Sequence, residues 1–176
     1  MPRFIRWVPT EEPLFDGFFE LAPVSSSDVV YDLGSGDGRL LFAALERGAG
    51  KCIGIEIDRE QIKISREKAE DRGVDGDRLT FIEGDVLEHD LSEATVVLCY
   101  LLADASLALR PKFEDELQPG TRVVMESFPV PGWKLTDSRI INGRSFYLYI
   151  MPHERTEDYF TAYTDTDWES DWSSWG

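Results

Sequence analysis

The chain alternates between two kinds of apolar pattern. Asp28–Leu33, Lys51–Ile57, Leu79–Ile82, Thr95–Tyr100 and Thr121–Glu126 are short, nearly unbroken apolar runs, and they read as buried strands. Between them lie charged stretches with helical spacing: Arg39–Arg47, closed by Gly48; Arg59–Arg72, closed by Gly73; and about Ala105–Leu117, followed by Pro119 and Gly120. Upstream, Glu11, Glu12 and Pro13 are start signals for a helix whose apolar face is Leu14, Phe15, Phe18, Phe19 and Leu21; Thr10 is its candidate cap and Pro23 its stop. Strands alternating with helices imply a parallel sheet covered on both faces. The pattern then changes. Asp137–Ile141 and Ser145–Ile150 flank Asn142 and Gly143, a pair suited to the left-handed turn of a hairpin. The expected fold is α/β: a Rossmann-like, mostly parallel sheet with a C-terminal antiparallel hairpin.

At 176 residues the chain suits one domain, placed at 1–152, with an acidic, Trp-rich tail at 153–176. The formal net charge of -16 repels phosphate and favours cationic partners, so nucleic acid and membrane are not expected as partners. The tail carries seven acids and one base, which leaves the body acidic in its own right. Arginine outnumbers lysine 13 to 5, a composition that fits salt adaptation and plain solubility equally well. No long apolar run and no leader-like start are visible, and a cytoplasmic address is expected. Cys52 and Cys99 lie in strand-like runs and read as reduced core thiols; His89 and His153 lack metal-like neighbours, so no metal site is expected.

The sharpest chemical signal is Gly34-Ser-Gly-Asp-Gly38, placed between the first strand and the helix that follows. Its glycines permit sharp turning and close approach of a ligand. Such turns serve many nucleotides, and three acids narrow the choice. Asp32 and Asp37 flank the turn and would repel the phosphate of a dinucleotide. They would attract the ammonium and sulfonium of S-adenosylmethionine. Glu56 ends the second strand, where an acid can accept from two ribose hydroxyls, and Asp85 follows the third, where it can accept from an adenine amino group. Each acid has a bland reading as a turn or surface residue. Together they mark the carboxyl ends of successive strands, where open α/β sheets bind ligands. The expected cofactor residues are Thr10, Asp32, Gly34, Gly36, Asp37, Gly38, Glu56, Asp85 and Tyr100.

The chain resembles the archaeal protein lysine methyltransferases and their mitochondrial relatives, within the class I S-adenosylmethionine-dependent methyltransferases. The resemblance rests on Trp7-Val-Pro-Thr10, Val30–Arg39, Asp90–Val97, Arg110–Phe113, Leu117–Val124, Gly132-Trp133 and Tyr147–Tyr149, and it covers about residues 5–152. The glycine turn is common to class I enzymes, whereas the V-P-T and D-L-S-E-A-T-V-V segments are more specific to this group. The resemblance implies transfer of methyl from S-adenosylmethionine to lysine side chains on proteins, with broad specificity as one option. Ser35 stands where that family usually has cysteine, Tyr100 where phenylalanine is expected, and Met125–Phe128 departs from an S-H-E-F-like stretch; the tail is unmatched. These departures bear on the acceptor more than on the cofactor.

A lysine nucleophile must be neutral, and an apolar aromatic channel can lower its pKa from near 10.4 without a dedicated base. Trp7 and Tyr100 are the expected catalytic channel residues, each reading equally as core, with Phe128 a further candidate that reads more readily as core. Thr10 is open between the methionine carboxylate and a helix cap. The fourth strand ends Leu98-Cys-Tyr-Leu-Leu102, without the N/D-P-P-Y motif of amide and adenine methylation or the Pro-Cys of cytosine methylation. Trp168, Trp172 and Trp175 share one helical face, so the tail either docks on the body, recruits a basic partner or stays loose. The competing functions are methylation of a small molecule or RNA, and cofactor binding without catalysis; a monomer is expected.

Overall fold

The computed structural model describes residues 10–156. Seven strands form one sheet: β1 (Val29–Leu33), β2 (Lys51–Glu56), β3 (Leu79–Glu83), β4 (Val96–Cys99), β5 (Arg122–Glu126), β6 (Asp137–Ile141) and β7 (Arg144–Ile150). Their order is β3-β2-β1-β4-β5-β7-β6. The first five are parallel, while β7 runs antiparallel to both β5 and β6. This is the expected α/β sheet with its C-terminal hairpin. Asn142 and Gly143 both take positive φ, 50° and 78°, as the hairpin turn requires.

The helices are α1 (Phe15–Leu21), α2 (Arg39–Glu46), α3 (Arg59–Asp71) and α4 (Ala103–Glu116). Alternate strand residues point to opposite faces, so the sheet carries two cores. On one face Val30, Leu98 and Val124 pack with Phe18, Leu41 and Phe42; on the other Leu33, Val97 and Cys99 pack with Phe113, Trp133 and Tyr149. Cys52 and Cys99 are buried free thiols, and burial pushes Cys52 up to about 12 and Cys99 well above its usual value. Both are therefore inert packing residues.

One expected element starts differently. A 3-10 turn over Glu12–Leu14 precedes α1, and Glu11 occupies the capping position without a side-chain bond. Thr10 is one residue too early to cap. Its hydroxyl donates instead to Glu126 Oε2, 3.4 Å away at the end of β5.

The amino-terminal rim of the sheet is closed by ion pairing. Asp28, just ahead of β1, accepts from Ser25 N at 2.7 Å, Thr95 Oγ1 at 2.8 Å and Arg122 Nη2 at 2.5 Å. Burial would raise this carboxyl, but Thr95, Ser25 and Arg122 hold it below the ordinary range. With one rim locked, the loops at the carboxyl rim are left to form a site.

Helix α1 reaches that rim by lying on β7. Phe18 meets Phe146 edge to face, with centroids 5.0 Å apart. The approach needs Gly17, because a β-carbon there would stand 2.3 Å from the Phe146 ring. Ala is favoured over Gly in a helix by about 1 kcal/mol, but overpacking a fixed core ring costs about 1–3 kcal/mol. Phe146 is fully buried and cannot yield, so the steric cost wins. We predict that Gly17→Ala is destabilising by about 1–2 kcal/mol in urea titration, against its helix propensity; a more stable variant would contradict this packing.

Candidate active site

The glycine turn is built by the end of β1 and the start of α2. Gly34 has φ 86°, and a β-carbon there would lie 2.9 Å from Leu101 Cδ2. Gly38 caps α2 at φ 80°, with Phe81 where a side chain would go. The turn consumes four of its five amides. Gly34 N and Ser35 N both donate to Ile55 O, at 2.8 and 3.1 Å; Gly36 N donates to Glu56 Oε2 at 2.9 Å; Gly38 N donates to Ser35 O at 2.9 Å. A phosphate-binding loop holds such amides free for the anion. This turn offers carboxylates in their place, which fits a cationic, phosphate-free nucleoside such as S-adenosylmethionine.

The acids divide into two kinds. Asp37 is satisfied: Arg39 Nη2 and Lys68 Nζ reach its Oδ2 at 2.8 and 2.6 Å. Burial raises its carboxyl, but the bonds from Arg39 and Lys68 outweigh this and hold it to about 2. Its charge is thus spent on tying the turn to α3, a structural task rather than attraction of the cofactor. Asp32 is the opposite case. It is buried in β1, and burial, then Glu56, then Asp37 push it up to about 8. Among the described residues no cation offsets those three effects, so an arriving positive charge gains there.

Glu56 is buried at the end of β2 and accepts from Gly36 N and, at 2.8 Å, from Asp58 N. Each oxygen keeps a lone pair for a ribose hydroxyl. Asp85, half-buried after β3, accepts from Leu87 N at 2.9 Å through Oδ1 and makes an Asx-type turn. The residues after these two acids add what the sequence reading lacked: Ile57 and Leu87 are large apolar side chains, 59% and 47% exposed at this rim. Exposed apolar surface beside these acids suits the face of a flat base. Ser35 faces away from the rim, its buried hydroxyl packed on Gly54.

The far end of the rim holds Tyr100, after β4, and the end of β5. Tyr100 accepts at its hydroxyl from Arg144 Nη1 at 3.1 Å, and the Arg144 guanidinium lies 5.7 Å from its ring centre. Ser127 takes φ 67°, and Phe128 N donates to Glu126 O at 2.8 Å, a tight reversal of the sort that concentrates at functional sites. Phe128 is half-buried beside it. Glu126, Arg144 and Ser127 were not singled out by the sequence reading. Its signal was the departure at Met125–Phe128, which put a carboxylate at this strand end. Trp7 lies outside the described residues.

The tail's first residues are tied to the body. His153 stacks on Trp133 with centroids 4.3 Å apart, and Arg155 forms a bridge with Trp133. Trp168, Trp172 and Trp175 fall outside the described residues.

Comparison with known proteins agrees with this geometry. Residues 32–137 match the family described as the ANTKMT methyltransferase domain. The chain is 40% identical over 154 residues to a protein-lysine N-methyltransferase of Saccharolobus islandicus, covering 84% of this chain and 94% of that one. It is 33% identical to a human lysine N-methyltransferase named for a subunit of ATP synthase, over 58% of this chain and 43% of that one. Among solved structures, an RNA methyltransferase from Salinibacter ruber in complex with S-adenosyl-L-homocysteine superposes with a TM-score of 0.80 at 41% identity, over 86% of this chain and 99% of that one.

The two acids titrate with opposite signs. Asp37 is held to about 2, below its unfolded value of 3.8, so its stabilisation is present above that value and lost as pH falls through about 2. Asp37→Asn should cost about 1–2 kcal/mol at neutral pH, because the exposed outer sides of Arg39 and Lys68 screen the pair. Asp32 is held near 8, so the folded chain keeps a proton that the unfolded chain releases, and stability declines as pH rises from about 4 to 8. Asp32→Asn should therefore raise the melting temperature of the cofactor-free protein at pH 8 by about 3 °C or more while weakening S-adenosylmethionine binding. Thermal melts across pH, with calorimetric titration of the cofactor, check both signs.

Proposed function

Because the chain belongs to the ANTKMT methyltransferase-domain family, we propose that this S-adenosylmethionine-dependent enzyme methylates the side-chain amine of lysine residues on proteins. The observation that carries the reading is the series Asp32, Glu56 and Asp85 at the carboxyl ends of β1, β2 and β3, beside a turn four of whose five amides are already donated. The bound cofactor supplies an electrophilic methyl on a sulfonium. Asp32 offers negative charge to its cationic end, Glu56 accepts from its ribose, and Asp85 with Ile57 and Leu87 holds its base. Thr10 stands at the acceptor side of the rim rather than at the turn.

The enzyme's main task is to hold the nucleophile in line with the methyl, and near-attack positioning lowers such barriers by about 7–11 kcal/mol. The lysine must also lose its proton, and entry beside Tyr100 and Phe128 favours the neutral amine by desolvation. Protein acceptors are supported by the names of the archaeal and human relatives. A basic, broadly chosen set of acceptors is supported by the net charge of -16. The name of the Salinibacter neighbour points to RNA instead. The same charge weighs against that acceptor, because phosphate contacts dominate nucleic-acid affinity. The buried, unpaired thiols suit a reducing, cytoplasmic compartment.

Methyl-labelled S-adenosylmethionine, a panel of lysine-rich proteins and a panel of RNAs separate these readings. We expect label on lysine side chains and none on RNA, with labelling abolished in Glu56→Ala together with cofactor affinity. Label on RNA alone would overturn the lysine reading. Tight cofactor binding with no label on any acceptor would point to a non-catalytic role.

A further inference from the structure

Glu126 ends β5 with its side chain fully buried. Among the described residues its Oε2 receives only a long bond from Thr10 at 3.4 Å, and its Oε1 has no hydrogen-bond donor. A buried carboxylate in that condition is costly unless it serves a ligand. The nearest cation is Arg144 Nη1, 3.9 Å from Oε1. That nitrogen is also the one set against Tyr100 Oη at 3.1 Å and Ser127 Oγ at 3.4 Å.

These contacts are loose beside the ion pairs that hold the fold. Arg39 and Lys68 reach Asp37 at 2.8 and 2.6 Å, and Arg122 reaches Asp28 at 2.5 Å. Charge-assisted bonds ordinarily close to about 2.7–2.9 Å. The Arg144 guanidinium therefore rests in a cation position it does not fill well. The position is bounded by a carboxylate, a phenol and a hydroxyl. It lies at the carboxyl rim where β4 and β5 end, beyond the cofactor acids of β1–β3. The Arg144 side chain is 45% exposed and can swing outward without disturbing the core.

We propose that Glu126, with Tyr100 and Ser127, forms the subsite for the acceptor's ammonium group, and that Arg144 occupies it as a tethered competitor until the acceptor displaces it. This deepens the lysine-methylation reading and rests on it. In the filled subsite the acceptor nitrogen takes the place of Arg144 Nη1. One N–H proton passes to Glu126 Oε1, and the freed lone pair forms the nitrogen–carbon bond to the methyl. The carbon–sulfur bond breaks with its electron pair left on sulfur. The methylated amine carries the positive charge, and the Glu126 proton returns to solvent as product leaves. Burial, against Arg144 and Thr10, places the Glu126 carboxyl at about 7, within reach of a proton taken near neutral pH. The other titratable and charged groups around this guanidinium are Tyr100 at the end of β4 and Glu11 ahead of α1.

The test uses the full chain saturated with S-adenosylhomocysteine and a short poly-lysine peptide as probe. Calorimetry should show Glu126→Gln weakening peptide binding by about tenfold or more, since a buried partner of a cation is lost. Arg144→Met should strengthen binding, because the competitor is gone. Affinity for S-adenosylhomocysteine should match wild type in both variants, which also reports that they fold. In turnover with S-adenosylmethionine, Glu126→Gln should lower kcat/KM for the peptide by about 10²-fold and remove the limb of the pH profile near 7. If wild type neither binds nor methylates the peptide, the lysine reading and this subsite fall together. If wild type methylates it and Glu126→Gln is equal to wild type, only the subsite falls. If Arg144→Met also weakens binding, Arg144 is a ligand of the acceptor and not its competitor.

Discussion

The carboxylate of Glu56 accepts from Gly36 N at 2.9 Å and from Asp58 N at 2.8 Å, and it joins the loop after β1 to the loop after β2. Much of the site follows from that one group. It fixes the middle of the glycine turn while Ile55 O fixes its start. Four of the turn's five backbone donors are taken within the protein, and acceptor oxygens stand beside them. The same strand-turn-helix geometry that binds anions elsewhere is thereby turned toward a cation and a sugar. The preference comes from hydrogen-bond accounting, because a donor already given to a carboxylate is not available to a ligand.

Charge is distributed by the same logic. Asp28 and Asp37 are paired with arginine or lysine and sit below the ordinary carboxylate range. They close one rim of the sheet and pin the turn to α3. Asp32 and Glu126 are buried and raised, to about 8 and about 7, because burial outweighs whatever positive charge is near. Paired acids build and underpaired acids await something. The two underpaired acids lie at the ends of β1 and β5, on opposite sides of β4.

The strands, the parallel order and the hairpin were legible in the sequence because each rests on a local signal: an apolar run, a glycine after a helix, Asn142 before Gly143. The placing of the three strand-end acids was legible for a related reason, since a parallel sheet brings the ends of β1, β2 and β3 to one rim. What was not legible depends on contacts distant in sequence. Thr10 read as a cap or a ligand group, yet it meets Glu126, 116 positions away. Asp37 read as a cofactor acid, because nothing local shows that Lys68 arrives from α3. Arg144 carries no local signal of a role, although the hairpin brings it to Tyr100, 44 positions back.

The two halves of the site therefore differ in how they are encoded. The cofactor half is made by consecutive βα units, where each acid sits at the end of its own strand and neighbours are set by the parallel ladder. The acceptor half is made by antiparallel pairing of β5 with β7, where Glu126 lies opposite Phe146 and Arg144 follows from the register. Gly17 lets α1 close over that same Phe146 and bring Thr10 to the carboxylate. A substitution in the hairpin or the first helix can thus change what the acceptor end receives while the β1–β3 end stays intact. At the ends of β5 and β7 this chain holds a buried carboxylate beneath a loosely held cation.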